Sequence, residues 1–389
     1  AYFAGFVTGA LMIPPVIARV GHIRSFTALM AIFLCSFLIL SLVSGGLFWV
    51  LVRFVLGAVM CGAYTVIESW LADQTEANRH GRVLSIYTAI VLISMAFGQY
   101  LLGLTDANPL YPFIFVSFLV GLAIVPVSLT RSLAPAPVPA TRINFLKLYR
   151  RSHTAFAGAL GSGVVMGGFW GLGAIYALGQ TEEAGFVPAF IAANILGGAL
   201  AQYPIGMASD RIDRRYVLAA LCAASGISAF GLMLAESEES LLLGAFCFGA
   251  FANSLYAVSL AKAADNSGRE EFVTIGSSVL LLNALGSASS SLVIGWAMRS
   301  LGDGALFAFL GLASFVTGVF IVLQPPGRTA VSIEEQGAFI AATSAMAPAA
   351  FDQDPRSDEE VEYEPTLADD GETDAYAEFR SSALGEAAA

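Results

Sequence analysis

The sequence predicts an all-α integral membrane protein built from two parallel copies of one helical unit. Three observations carry this prediction. Of 389 residues, 57% are hydrophobic and only 13% are charged, against about 25% charged in soluble domains, so lipid must cover much of the surface. Eleven apolar runs are long enough to cross a bilayer as helices. A constant shift of 192 residues maps Phe54, Gly57, Ala58, Tyr64, Val66, Ala72 and Asp73 onto Phe246, Gly249, Ala250, Tyr256, Val258, Ala264 and Asp265, seven identities in twenty ungapped positions. Internal repeats of this kind point to a transporter.

The eleven spans fall at 1–18, 25–44, 47–72, 83–104, 109–130, 154–178, 185–208, 216–235, 240–263, 272–298 and 304–324. Short connections make neighbours antiparallel. Five spans precede the central loop Arg131–His153 and six follow it. In the 192 register Ala1 matches Ala193, whereas the second half begins near Thr154, so the first half is expected to lack roughly 39 residues, about one span and part of the next. The chain also opens on Ala rather than Met, and we expect a truncated twelve-span protein; a natural eleven-span chain is the alternative. The expected architecture is therefore two six-helix repeats with the first helix of the N-terminal half missing. The units are a five-span bundle 1–131, a linker 132–153, a six-helix bundle 154–326 and a tail 327–389.

Charge sorts by side. One set of loops carries Arg19, Arg24, Arg79, Arg82, Arg131, Arg142, Lys147, Arg150, Arg151, Arg211, Arg214, Arg215, Lys262 and Arg269, whereas the alternate loops carry only Arg299. The positive-inside rule puts the first set, with the central loop and the tail, in the cytoplasm of a multi-pass cell (inner) membrane protein. The formal charge of −11 describes the tail: residues 327–389 hold fifteen acids and three bases, residues 1–326 fifteen acids and sixteen bases. Composition predicts a disordered tail, and the Pro135, Pro137 and Pro139 run an extended linker.

Cys35, Cys61, Cys222 and Cys247 sit in apolar runs without a CxxC pair, and the three histidines occupy separate loops, so neither a disulfide framework nor a metal site is expected. The glycine-rich stretches Gly158–Gly173 and Gly197-Gly198 lack the strand-to-helix context and Lys-Ser/Thr ending of a phosphate loop. They read as close helix packing that permits sliding or rocking. No nucleotide site or catalytic triad is present, which argues against an ATP-driven pump and against an intramembrane enzyme. No cofactor and no nucleic-acid partner are expected, and a monomer suffices.

The run Gly206-Met-Ala-Ser-Asp210-Arg211-Ile-Asp213-Arg214-Arg215 resembles the loop signature G-x-x-x-D-R-x-G-R-R of the major facilitator superfamily. Asp213 stands where the family has Gly. The first copy keeps Arg19, Gly21 and a basic His22 but has Ala18 in place of the acid. The Gly21–Arg24 and Tyr64–Trp70 phrases further resemble the YcaD-like branch. The resemblance covers residues 1–324 and implies a major-facilitator-like fold. It also implies a secondary transporter moving a small molecule by alternating access, with protons as the expected coupling ion. A transporter-like sensor signalling through the tail is the alternative.

Arg53-Phe-Val-Leu-Gly57 resembles the superfamily's R-x-x-x-G motif. Arg53 is the one basic residue well inside a span; it either meets an anionic substrate group or snorkels outward from a position six residues after Leu47. Glu68 is the one acid within a span, either a coupling carboxylate or an ion-pair partner near the cytoplasmic end. Tyr64, Gln99, Trp170, Tyr176, Asn194, Gln202, Asn253, Tyr256 and Asn283 are polar or aromatic residues in apolar spans, read as cavity lining or as helix-to-helix contacts. Arg19, Gly21, Arg24, Gly206, Asp210, Arg211, Arg214 and Arg215 form the two candidate gating loops. Asp210 is expected to pair with Arg211 or Arg214 or to cap a helix.

Overall fold

A computed structural model describes residues 1–43, 45–73, 75, 80–103, 108, 110–130, 143–181, 183, 185–267 and 272–324; at 72, 73, 80–82, 84, 85, 272 and 273 it describes the backbone alone. The acidic tail and the proline run of the central loop lie outside these residues. The described part is helical: α1 (Tyr2–Val20), α2 (His22–Leu42), α3 (Gly46–Asp73), α4 (His80–Gly103), α5 (Tyr111–Leu129), α6 (Phe145–Arg151), α7 (His153–Leu178), α8 (Phe186–Arg211), α9 (Arg214–Met233), α10 (Glu238–Ala252), α11 (Ser254–Asp265), α12 (Phe272–Leu301) and α13 (Ala305–Leu323). Among the described residues eleven helical segments are long and apolar enough to cross a bilayer, α10 and α11 counting as one. Asn253 interrupts that segment while keeping helical dihedrals (φ −64°, ψ −27°).

The repeat is visible in the helix bounds. α2, α3 and α4 start 192 residues before α9, α10 and α12, and α3 ends 192 residues before α11. It is also visible in the packing. A Cβ on Gly5 would collide with the Phe54 carbonyl oxygen, and one on Gly197 with that of Phe246; Gly57 meets the Tyr2 carbonyl oxygen as Gly249 meets that of Asn194. Each of these four contacts has its partner at the 192 shift. Only a residue without a side chain lets α1 approach α3, and α8 approach α10, this closely.

In the second half α7 packs against α12 through a ladder of parallel contacts. Asn283 Nδ2 donates to Ser162 Oγ (2.8 Å) and Ala159 O (3.4 Å). One turn on, Ser287 Oγ donates to Gly163 O (3.0 Å), and one turn further Ser291 Oγ donates to Gly167 O (3.0 Å). The expectation that this glycine-rich helix permits sliding therefore needs correction for α7 against α12: Gly163 and Gly167 seat the neighbour's backbone, and the hydrogen bonds fix its register.

The halves meet where α4 faces α8 and α1 faces α12. One apolar cluster joins Phe6, Ala10 and Cys61 of the first half to Leu260, Val279 and Leu281 of the second, with Leu148 of α6 beneath. The linker 132–153, expected as a connection between the bundles, contains α6. Asn144 starts it by accepting the Lys147 N–H (2.8 Å) and donates its own N–H to Ser278 Oγ on α12 (2.9 Å).

Candidate functional site

A cavity of about 80 Å³ sits between α4 of the first half and α7, α8, α11 and α12 of the second. Five residues singled out from the sequence converge on it: Trp170, Gln202, Asn253, Tyr256 and Asn283. Leu92, Met95, Met166 and Ile195 supply its apolar walls. These four carried no signal, because an apolar residue in an apolar span is the default. Among the described residues no charged side chain lines the cavity. Leu92, Ile195 and Gln202 also border a groove of about 900 Å³ between α4 and α8, which runs past Tyr203 and Gly206 to Asp210.

Asn194, fully buried, stands behind the wall. Asn253 Nδ2 donates to its carbonyl oxygen and to its Oδ1 (both 3.2 Å), while Asn194 Nδ2 has no partner among the described residues. Asn194 thus fastens the interruption at Asn253 to α8. Tyr176 lies apart, donating to Leu232 O (3.3 Å).

The first-half candidates fall elsewhere. Tyr64 is half-buried against the apolar cluster joining the halves. Glu68 is wholly buried and accepts a hydrogen bond from Tyr87 Oη (3.3 Å). Gln99 is half-buried on α4, and Arg53 is exposed on α3; neither is among the residues lining the cavity.

The loop of the second half is a built structure. Arg214 is completely buried at the start of α9. It bonds Asp265 at the end of α11, Asp210 Oδ1 (3.2 Å) and Ser209 Oγ (3.1 Å) on α8, and Ala261 O (3.2 Å) on α11. Arg214 was among the partners expected for Asp210 and is found beside it. Arg215 donates to the carbonyls of Ile321, Val322 and Gln324 at the end of α13, where a cation also meets the helix dipole. These bonds tie α9 to α8, α11 and α13, all of the second half. Arg211 is exposed, as are Arg19 and Arg24 of the first loop.

The departure from glycine at 213 is resolved by the backbone. Gly21 has φ +91°, a turn that favours glycine, whereas Asp213, 192 residues on, has φ −53°. Asp213 uses its carboxylate instead, capping α9 through the Arg215 N–H (2.9 Å) and pairing with Lys262 (3.2 Å). His22 takes the place of Arg214 in the first copy; it is buried, with Nε2 3.1 Å from Ser69 Oγ on α3. Sequence reading did not single out His22, Asp213 or Asp265 as functional candidates, although the 192 register aligned them.

At the opposite end of the spans, Thr181 Oγ1 donates to Glu238 Oε1 (2.6 Å) and accepts the Glu183 N–H (3.1 Å). Hydrogen bonding and repulsion from the Glu238 carboxyl hold Glu183 above its ordinary carboxylate range.

Residues 156–357 match the family model of the Major Facilitator Superfamily. The chain is 26% identical over 331 residues to the uncharacterised MFS-type transporter YcaD of Escherichia coli O7:K1, covering 85% of this chain and 86% of that protein. It is 24% identical over the same length to YcaD of Salmonella arizonae, with the same coverage. Its fold resembles the crystal structure of the MFS transporter FucP in the outward conformation, with a TM-score of 0.50, 15% identity, and coverage of 82% of this chain and 87% of that one.

Proposed function

Since the chain belongs to the Major Facilitator Superfamily and is a secondary transporter rather than an enzyme, we propose that it moves a small molecule across the cytoplasmic membrane by alternating access, coupled to protons. Trp170, Gln202, Asn253, Tyr256 and Asn283 contact the substrate, and Asn194 positions Asn253. The observation that carries this reading is their convergence on one cavity where the first half meets the second. Polar side chains at membrane depth are costly unless used, and a cavity at the junction of two repeats is where a substrate is exposed to alternate sides.

Glu68 is the coupling carboxylate in this reading. It is the one acid within a described span interior, it is wholly buried, and Tyr87 donates to it. The basic loops, including the Arg214 network, face the cytoplasm. The bundles 1–131 and 154–326 move relative to each other about the linker 132–153, and the tail 327–389 is dispensable for transport.

The test is uptake into proteoliposomes under an imposed pH gradient. The expected result is accumulation that collapses with the gradient, and that Glu68→Gln abolishes while substrate exchange without a gradient persists. Gradient-driven accumulation surviving in Glu68→Gln removes that residue from coupling.

A further inference from the structure

We propose that the central cavity takes an uncharged molecule bearing hydrogen-bond donors, hydroxyl or amide N–H, on a flat apolar frame; this rests on the carrier reading and narrows its substrate class. The argument starts from two amides. Asn253 Nδ2 is committed to the carbonyls of Asn194 (3.2 Å) and Gly249 (3.0 Å) and to Asn194 Oδ1. Asn283 Nδ2 is committed to Ala159 O and Ser162 Oγ. Backbone carbonyls only accept, so they fix which way each amide faces.

Both residues line the cavity, and among the described residues neither side-chain oxygen accepts a hydrogen bond. The two asparagines therefore keep their amide donors for the protein and leave their side-chain oxygens to a ligand. A ligand that supplies donors completes these oxygens, and one that brings only acceptors leaves them unpaired. Charge is disfavoured in either sense, because no ionised side chain among the described lining residues would meet it and burying an unpaired charge is costly. Trp170 supplies an aromatic surface and Met95 and Met166 adaptable walls, which suit a flat apolar frame.

The experiment is equilibrium dialysis of the full chain in lipid nanodiscs at neutral pH against labelled probes of one frame. These are para-hydroxybenzyl alcohol (neutral, two donors), its di-O-methyl ether (neutral, no donors), tyramine (cation) and para-hydroxyphenylacetate (anion). The alcohol is expected to bind at least about tenfold more tightly than each of the others. Asn283→Ala is expected to erase the difference between alcohol and ether. That variant also cuts the α7–α12 ladder, so Gln202→Glu serves as a second arm. It adds a carboxylate to the cavity without touching either asparagine and should turn the preference towards tyramine.

Equal binding of the ether, preference of the unmodified protein for either ion, or failure of the alcohol to bind overturns the proposal. So does an unchanged preference in Gln202→Glu. Preferential uptake of an ion by proteoliposomes would leave the carrier reading standing and overturn this one. Binding of the alcohol without its uptake, in the order given above, would support the site chemistry and count against transport.

Discussion

Replacing Arg214 by Met should destabilise the second bundle by about 3–5 kcal/mol, the cost of breaking a buried ion pair from one side. The magnitude follows from where the partners sit. The Arg214 side chain is 0% exposed and that of Asp265 1%, whereas that of Asp210 is 41% exposed. Losing the guanidinium removes the buried cation beside Asp265, and that dominates. The more exposed Asp210 pair contributes about 0–1 kcal/mol. Met fills much of the arginine stem's volume, so little of the effect is cavity. The double change Arg214→Met with Asp265→Leu removes that carboxylate as well, and apolar replacement of both members of a buried pair is often neutral or better. It should therefore recover most of the loss. Titration with sodium dodecyl sulfate in mixed micelles, followed by circular dichroism, measures all four corners of the cycle. A double variant as unstable as Arg214→Met would refute the assignment of the cost to Asp265.

Gly197→Ala should destabilise by about 1–3 kcal/mol through overpacking, because the added methyl overlaps the Phe246 carbonyl oxygen; Gly295→Ala, with open space around it, is the control, and equal melting of the two proteins would contradict the contact. Asp210→Asn should slow interconversion of inward- and outward-facing states and leave stability within about 1 kcal/mol; unaltered accessibility of cytoplasmic cysteine probes counts against a gating role. Glu183 has a raised pKa when folded, so its contribution is favourable at pH below the ordinary carboxylate value and is lost as pH rises through the raised one. Glu183→Gln should accordingly raise the melting temperature at pH 7 relative to the parent and lose that advantage towards pH 4; a constant advantage across the range would reject the raised Glu183 carboxyl.

The fold was legible where sequence and backbone obey the same period. Phe54, Gly57 and Ala58 recur at 246, 249 and 250 because the same carbonyl must be met by the same bare Cα in both halves. The cavity was legible for a related reason: Gln202, Asn253 and Asn283 stand out against long apolar runs, and polar groups at that depth need somewhere to point. Depth alone does not give azimuth. Gln99 lies at a plausible level on α4, as does Arg53 on α3, yet the cavity wall is made by Leu92 and Met95. Nor does the one-dimensional pattern show that the amide nitrogen of Asn283 is spent on α7 while its oxygen is left to the cavity. The role of Arg214 needed three dimensions too, because Asp265 is 51 residues away and looks like an ordinary helix-terminal acid.

The ladder from α12 to α7 bears on how the protein can move. Its rungs are spaced one helical turn apart, and a shift of α12 by a single residue, about 1.5 Å, would break every rung and drive Asn283 and Ser287 backbone atoms off the glycines that seat them. The lowest-energy deformation is then not a slip of one helix past another. α7 and α12 turn together as a single lever, with α8 and α10 coupled by their own glycine contacts. Relative movement is then expected at the junctions α4–α8 and α1–α12, where the halves meet. A stiff lever of this length turns a small change at the cavity wall into a larger displacement at the far ends of the spans.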